Sequence, residues 1–156
     1  MSAAVIIGLC NDKILLTLRS IHLRSFSGDP CFPGGKLELD DVSIYHAALR
    51  EFHEEVDFVG TITPIGALLP ICAASSTQQI YPFIVRLDGE VGGFNSDEVS
   101  QLLWLDWARL VPDSFTINQR LPLILHNRII QSNEGATIWG VTASMLHSLT
   151  YIKQYI

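Results

Sequence analysis

The stretch FPGGKLELDDVSIYHAALREFHEEVD, from Phe32 to Asp57, carries most of what this chain says about itself. Its second half, Val42 to Val56, has no glycine or proline, and Tyr45, Leu49, Phe52 and Val56 recur four, three and four residues apart. That spacing predicts a helix with one apolar stripe, started by a cap at Asp40 or Asp41. Glu51, Glu54 and Glu55 stand at i, i+3 and i+4, so they are expected to share a face opposite the stripe. Like charges so spaced repel, and the last turn of a helix already carries negative partial charge. Each penalty is a few tenths of a kcal/mol when exposed, and a bound divalent cation would remove both. Hard oxygen donors select Mg²⁺ or Mn²⁺ rather than zinc. The plain alternative is a solvated helix face on which Arg50 pairs with Glu54, and for an isolated Arg-Glu-x-x-Glu-Glu string it would win. The glycine-rich Phe32-Pro33-Gly34-Gly35-Lys36 loop just upstream tips the balance towards a site.

Outward from this stretch, the charge is divided. From Lys13 to Lys36 stand Lys13, Arg19, Arg24 and Lys36 against Asp29 alone, whereas from Glu38 to Asp57 stand Glu38, Asp40, Asp41, Glu51, Glu54, Glu55 and Asp57 against Arg50 alone. A basic segment followed by an acidic one suits a site that holds an anionic ligand together with a cation. The net charge of −6 argues against a sequence-independent grip on nucleic acid. Apolar residues make up 48% of 156, enough for a globular core in one domain spanning 1–156. No apolar run is long enough to span a bilayer, and Ala3 to Cys10 reads as a strand rather than a leader. Cys10, Cys31 and Cys72 are odd in number and widely spaced, so they read as free thiols in a reducing compartment, and a cytoplasmic location is expected.

The remaining elements follow from pattern. Ala4–Leu9 and Ile14–Leu18 flank Asn11-Asp12-Lys13 as a hairpin, and Ser25 to Gly35 reads as loop. Strands are expected at Ile62–Ala73, at Ile80–Leu87 (ending in an Asp88-Gly89 turn) and at Leu102–Leu105, with a helical turn near Trp107–Leu110. Leu121–Ile130 and Val141–Ile152 read as helices. Strands and helices mix without regular alternation, so a layered α/β domain is expected rather than a doubly wound sheet.

The combination of Gly34-Gly35 with Arg50-Glu51-Phe52-His53-Glu54-Glu55-Val56 resembles the Nudix box, at about residues 35–58. From Gly35, Asp41 holds the first acidic position and Arg50 the arginine, one residue further apart than in the commonest form. Asp57 stands where the box has glycine, which would require a left-handed backbone there. Leu15-Leu16-Thr17-Leu18-Arg19-Ser20, Leu23-Arg24, Gly28 and Phe32-Pro33-Gly34-Gly35 are similar to the motif of coenzyme A pyrophosphatases within the Nudix family. The likeness continues through Gly66 to Pro70, Asp97-Glu98-Val99-Ser100 and Trp139 to Ala143. Phe26 departs from that subfamily, where histidine is expected, and so does Asp29-Pro30.

The resemblance implies a Nudix-type α/β/α sandwich with a mixed β-sheet. It implies a Mg²⁺- or Mn²⁺-dependent pyrophosphohydrolase that acts on a small nucleotide, with neither nucleic acid nor membrane as partner, and it leaves a homodimer open. Glu51 and Glu55 would hold the metal, with Glu54 sharing it or binding a second ion. Glu98, outside the box, would assist as base or extra ligand. Arg50 reads as orienting a carboxylate. Arg19 and Arg24 would grip phosphates through forked hydrogen bonds, Gly34 and Gly35 would let the backbone approach them, and Lys36 would touch an oxygen. Coenzyme A or a derivative is the expected substrate, giving adenosine 3′,5′-bisphosphate and 4′-phosphopantetheine. Alternatives are another nucleoside diphosphate such as ADP-ribose, a modified nucleoside triphosphate, or an inactive nucleotide-binding module. The five histidines are expected to be structural or superficial.

Overall fold

The computed structural model describes residues 1–25, 27–73, 76–118 and 126–156. Its centre is strand β1 (Ser2–Cys10), which turns back into β2 (Lys13–Arg19). Asn11 and Asp12 between them both take positive φ, 48° and 59°, which is what a two-residue hairpin turn demands. The loop expected from Ser25 to Gly35 contains two short strands, β3 (Pro30–Cys31) on β2 and β4 (Gly34–Lys36) on β1. Helix α1 (Ile44–Glu55) follows, then β5 (Val56–Ala67), β6 (Ile71–Cys72), β7 (Gln79–Phe94) and β8 (Val99–Asp106).

The path through the main sheet runs β3-β2-β1-β7-β5, with β8 joined to β2 and β6 to β7. β1 pairs in parallel with β7 and antiparallel with β2, so the sheet is mixed. A 3-10 turn (Trp107–Arg109) ends β8. A second small sheet holds β9 (Thr116–Ile117), β10 (Arg128–Gln131) and β11 (Thr137–Ile138), and α2 (Gly140–Ile152) follows it.

Period-two alternation in the central strands builds the layers. Ala4, Ile6 and Cys10 of β1 join Leu15, Val85 and Leu87 in a core closed by Ala48 and Phe52 of α1. Val5, Ile7 and Leu9 point the other way, into a core with Ile14, Leu16, Leu103, Leu105 and, from α2, Ala143, Leu146 and Leu149. Helices therefore cover both faces, as expected for an α/β/α sandwich, and the central strand is apolar on both sides. Among the described residues no helix is long and apolar enough to cross a membrane.

Several expectations are corrected. β7 runs straight through Asp88-Gly89, which is no turn. Gly89 instead faces Gly60 of β5 so closely that a Cβ there would sit 2.1 Å from the Val59 carbonyl oxygen. Of the helix expected over Leu121–Ile130, residues 128–130 belong to strand β10, residues 126 and 127 are not helical, and residues 121–125 lie outside the described residues, as does Phe26. The cap of α1 is Ser43, whose hydroxyl accepts the His46 N–H at 3.0 Å, while Asp41 has other partners. Asp57 is extended within β5 and pairs with Gly93.

Candidate active site

The helix α1 lies with Ala47, Ala48, Phe52 and Glu55 buried. Glu55 thus belongs to the inward side of the helix, one turn beyond Glu51, and is only 4% exposed. The three box glutamates do not share one face opposite the apolar stripe. Successive residues are about 100° apart, so Glu54 lies about 100° from Glu55 and turns outwards. Its side chain is 49% exposed and its Oε1 is 3.2 Å from Arg50 Nη1. The carboxylates that converge are those of Glu51, Glu55 and Glu98: one oxygen from each lies within 4.8 Å of the others.

Each of the three is held by its own restraint. Arg50 Nη1 donates to Glu51 Oε1 at 3.0 Å. The backbone of Gly34 hydrogen-bonds the Glu55 carboxylate, and Glu55 O accepts the Asn95 N–H at 2.9 Å. That second bond joins the end of α1 to the turn that carries Glu98. The turn is pinned from the other side, where Glu98 O accepts the Ser20 N–H at 2.9 Å. Gly35 leaves the space in which Glu51 sits, since a Cβ there would fall 2.3 Å from the Glu51 Cδ.

Arg50 organises the loop as well as the carboxylate. Its Nε and Nη2 grip the two oxygens of Asp41 at 3.1 Å each, and Nη2 also donates to the Lys36 carbonyl at 3.1 Å. Asp41, whose side chain is 2% exposed, also accepts from the Glu38 N–H and contacts His46 Nδ1. Those donors, Arg50 first, hold its carboxyl well below the ordinary carboxylate range, and Asp41 in turn raises the Arg50 guanidinium. Asp41 was expected as a possible cap and as the first acidic position of the box, and its grip on Arg50 was not foreseen.

The electrostatics of the trio suit a bound positive charge. Burial, then Glu98 and Glu51, push the Glu55 carboxyl up to about 8 against the opposing pull of Arg19 and Gly34. Glu51 is also raised, first by burial and then by Glu54 and Glu98, with Arg50 opposing. Two full charges at such separations repel by about 3 kcal/mol at an effective dielectric near 20. The donor set is all carboxylate oxygen, without thiolate or imidazole, which fits a hard divalent cation.

The other residues singled out from the sequence divide. Arg19 lies against Cys31, its charge reaches Glu55, and its Nε donates to Ser25 O at 3.4 Å. Gly34 and Gly35 border the cluster, as above. Arg24 is exposed on the loop after β2, and Lys36 is exposed at the end of β4 while its carbonyl serves Arg50. Among the described residues all three cysteines are free. His46 sits on Asp41, and His126 bonds Ser144 and the Cys72 carbonyl; neither joins the cluster of Glu51, Glu55 and Glu98.

The chain is similar to known proteins. The NUDIX domain model matches residues 1–124. The chain is 31% identical over 154 residues to a protein of Yersinia pestis (strain Pestoides F) described as an uncharacterized Nudix hydrolase NudL, covering 94% of this chain and 77% of that one. Among solved structures it is similar to the MutT protein of Methanosarcina mazei Go1, with TM-score 0.54, 18% identity, and 70% and 79% of the two chains covered. It is also similar to a bifunctional NMN adenylyltransferase/ADP ribose pyrophosphatase from Francisella tularensis, complexed with AMP and a manganese ion. There the TM-score is 0.51 and the identity 18%, over 67% of this chain and 33% of that one. At such identities the two structures speak for the fold alone. On the domain match and the NudL relative, the chain belongs to the Nudix hydrolase family and is a pyrophosphohydrolase.

Proposed function

We propose that this enzyme hydrolyses the pyrophosphate bond of coenzyme A or a derivative, with Mg²⁺ or Mn²⁺, to adenosine 3′,5′-bisphosphate and 4′-phosphopantetheine. The observation that carries the chemistry is the convergence of Glu51, Glu55 and Glu98 beside Gly34 and Gly35. A divalent cation held by these three would neutralise the phosphoryl oxygens and acidify the attacking water. Arg50 keeps the Glu51 carboxylate in place, so the site is ordered before substrate arrives. Gly34 and Gly35 offer backbone without side chains where the phosphates would lie. Arg19, whose charge reaches Glu55, would bind a pyrophosphate oxygen, and the exposed Arg24 would meet the more distant 3′-phosphate. Lys36, at the rim, would make a further phosphate contact. A carboxylate, Glu98 or the outer Glu54, would accept the proton of the attacking water as the P–O–P bond breaks and the leaving phosphate departs. Glu54, half exposed and bonded to Arg50 through Oε1, would offer its other oxygen to a second cation from the solvent side.

The preference for coenzyme A rests on the Leu15–Phe32 motif together with the position of Arg19. Mass spectrometry of the products from coenzyme A with Mg²⁺ tests it. The two named products are expected. Intact coenzyme A alongside cleaved ADP-ribose or a cleaved modified nucleoside triphosphate would move the substrate to that other class. Nucleotide binding without any hydrolysis would make the protein a binding module.

A further inference from the structure

We propose that Ser100 is a positioning residue for the carboxylate cluster, supplying the extra residue in β8 that brings Glu98 level with the end of β2. The inference rests on the reading of that cluster as a cation site and adds how its third member is aimed.

The register of β2 against β8 carries the argument. Thr17 faces Leu102 and Leu18 faces Gln101, a regular antiparallel ladder. Continued unchanged, it would set Arg19 against Ser100 and Ser20 against Val99. Instead the register shifts between Leu18 and Arg19, and Arg19 faces Val99. Ser100 is the residue passed over, and the slip leaves the Ser20 N–H bonded to Glu98 O at 2.9 Å. A bulge of this kind re-aims the strand that carries it. The Ser100 hydroxyl closes it by donating to Leu18 O at 3.2 Å, back across the strand pair. Beyond the bulge, Glu98 and Val99 N–H both donate to Asn95 O, at 3.2 and 2.9 Å, and Asn95 N–H reaches Glu55 O. Glu98 is thus tied to β2 through Ser20 and to α1 through Asn95. Arg19, next to the slip on β2, is a cation whose field reaches Glu55. One extra residue in β8 therefore fixes the height of Glu98 relative to both the arginine and the helix carboxylates.

The test uses metal-free protein first. Amide exchange followed by NMR should find Ser20 protected in the wild type, and faster by about tenfold or more in a chain lacking Ser100. Mn²⁺ affinity, read by electron paramagnetic resonance, should fall in that deletion as far as in Glu98→Gln, about 10–100-fold. Ser100→Ala should lose about tenfold and Ser100→Thr, which keeps the hydroxyl, should match the wild type. A folded deletion that protects Ser20 and binds Mn²⁺ as the wild type does would overturn the proposal. If the deletion does not fold, Ser100→Ala decides, and wild-type affinity in it would overturn the proposal. Wild-type protein that protects Ser20 but binds no Mn²⁺ would overturn the cation reading, and the proposed role of Ser100 with it. Unchanged affinity in Ser100→Ala and in the Ser100 deletion of a Mn²⁺-binding wild type would overturn only this inference.

Discussion

Replacing Gly35 by alanine separates the site from the fold. The new Cβ would lie 2.3 Å from Glu51 Cδ and 2.5 Å from each of its oxygens. Ordinary contact between such atoms begins near 3.4 Å, so the carboxylate must retreat by about 1 Å. It can move, being the end of a side chain, but only by giving up the 3.0 Å bond from Arg50. Metal ligands tolerate displacements of about 0.2 Å, so a retreat of about 1 Å removes Glu51 from any shared cation. A misplacement of that size costs about 100-fold in rate, or about 2.7 kcal/mol of barrier. The backbone cost is small, because Gly35 is not among the glycines with positive φ. Gly34→Ala is the contrast: its Cβ would meet the Ala4 carbonyl oxygen at 2.2 Å and the Val5 Cα at 2.6 Å. Those are backbone atoms of the central strand, which cannot withdraw, so this variant should lose about 3 kcal/mol of stability. Steady-state hydrolysis and thermal melting on both variants separate the two effects. Gly35→Ala with wild-type kcat/KM, or with a melting temperature as low as that of Gly34→Ala, would refute the reasoning.

Further outcomes follow from the same contacts. Arg50→Lys cannot grip Asp41 with two nitrogens while reaching Glu51 and Lys36 O, so kcat/KM should fall by about 10–100-fold, with melting lowered by a few degrees. Glu55→Gln should keep its fold and lose activity by orders of magnitude under saturating Mg²⁺, and wild-type turnover would contradict the assignment. Glu55, raised to about 8 when folded, binds a proton more tightly in the native state than in the unfolded chain. Its contribution to stability is therefore present below its unfolded pKa, near 4.5, and is lost as pH rises through about 8. Metal-free wild-type protein should melt progressively lower across that window relative to Glu55→Gln, and added Mg²⁺ should reduce the difference. Ser43→Ala removes the helix cap and should cost about 1 kcal/mol, a few degrees of melting, with little change in kcat.

What the sequence revealed depends on how local each signal was. The β1–β2 hairpin and the two helices were legible because apolar period and turn chemistry act over a few residues. Asp88-Gly89 misled for the same reason. As a dipeptide it suits a turn, but here the glycine serves the close approach of Gly60 on another strand. The box was legible as a motif, yet its geometry was not. Spacing alone grouped Glu54 with Glu51 and Glu55, whereas burial of the helix on the Ala48–Phe52 side draws Glu55 inwards and leaves Glu54 outside. Glu98 was visible only by family likeness. It reaches the cluster through the Ser20 and Asn95 backbone bonds, and no periodicity within residues 95–100 announces them.

The most direct test is the position of a bound cation. Crystals grown with Mn²⁺ should give an anomalous peak bounded by carboxylate oxygens of Glu51, Glu55 and Glu98, at about 2.1–2.2 Å from each, and the peak should vanish in Glu55→Gln. A peak held elsewhere, or an ordered trio with no ion at saturating Mn²⁺, would contradict the account.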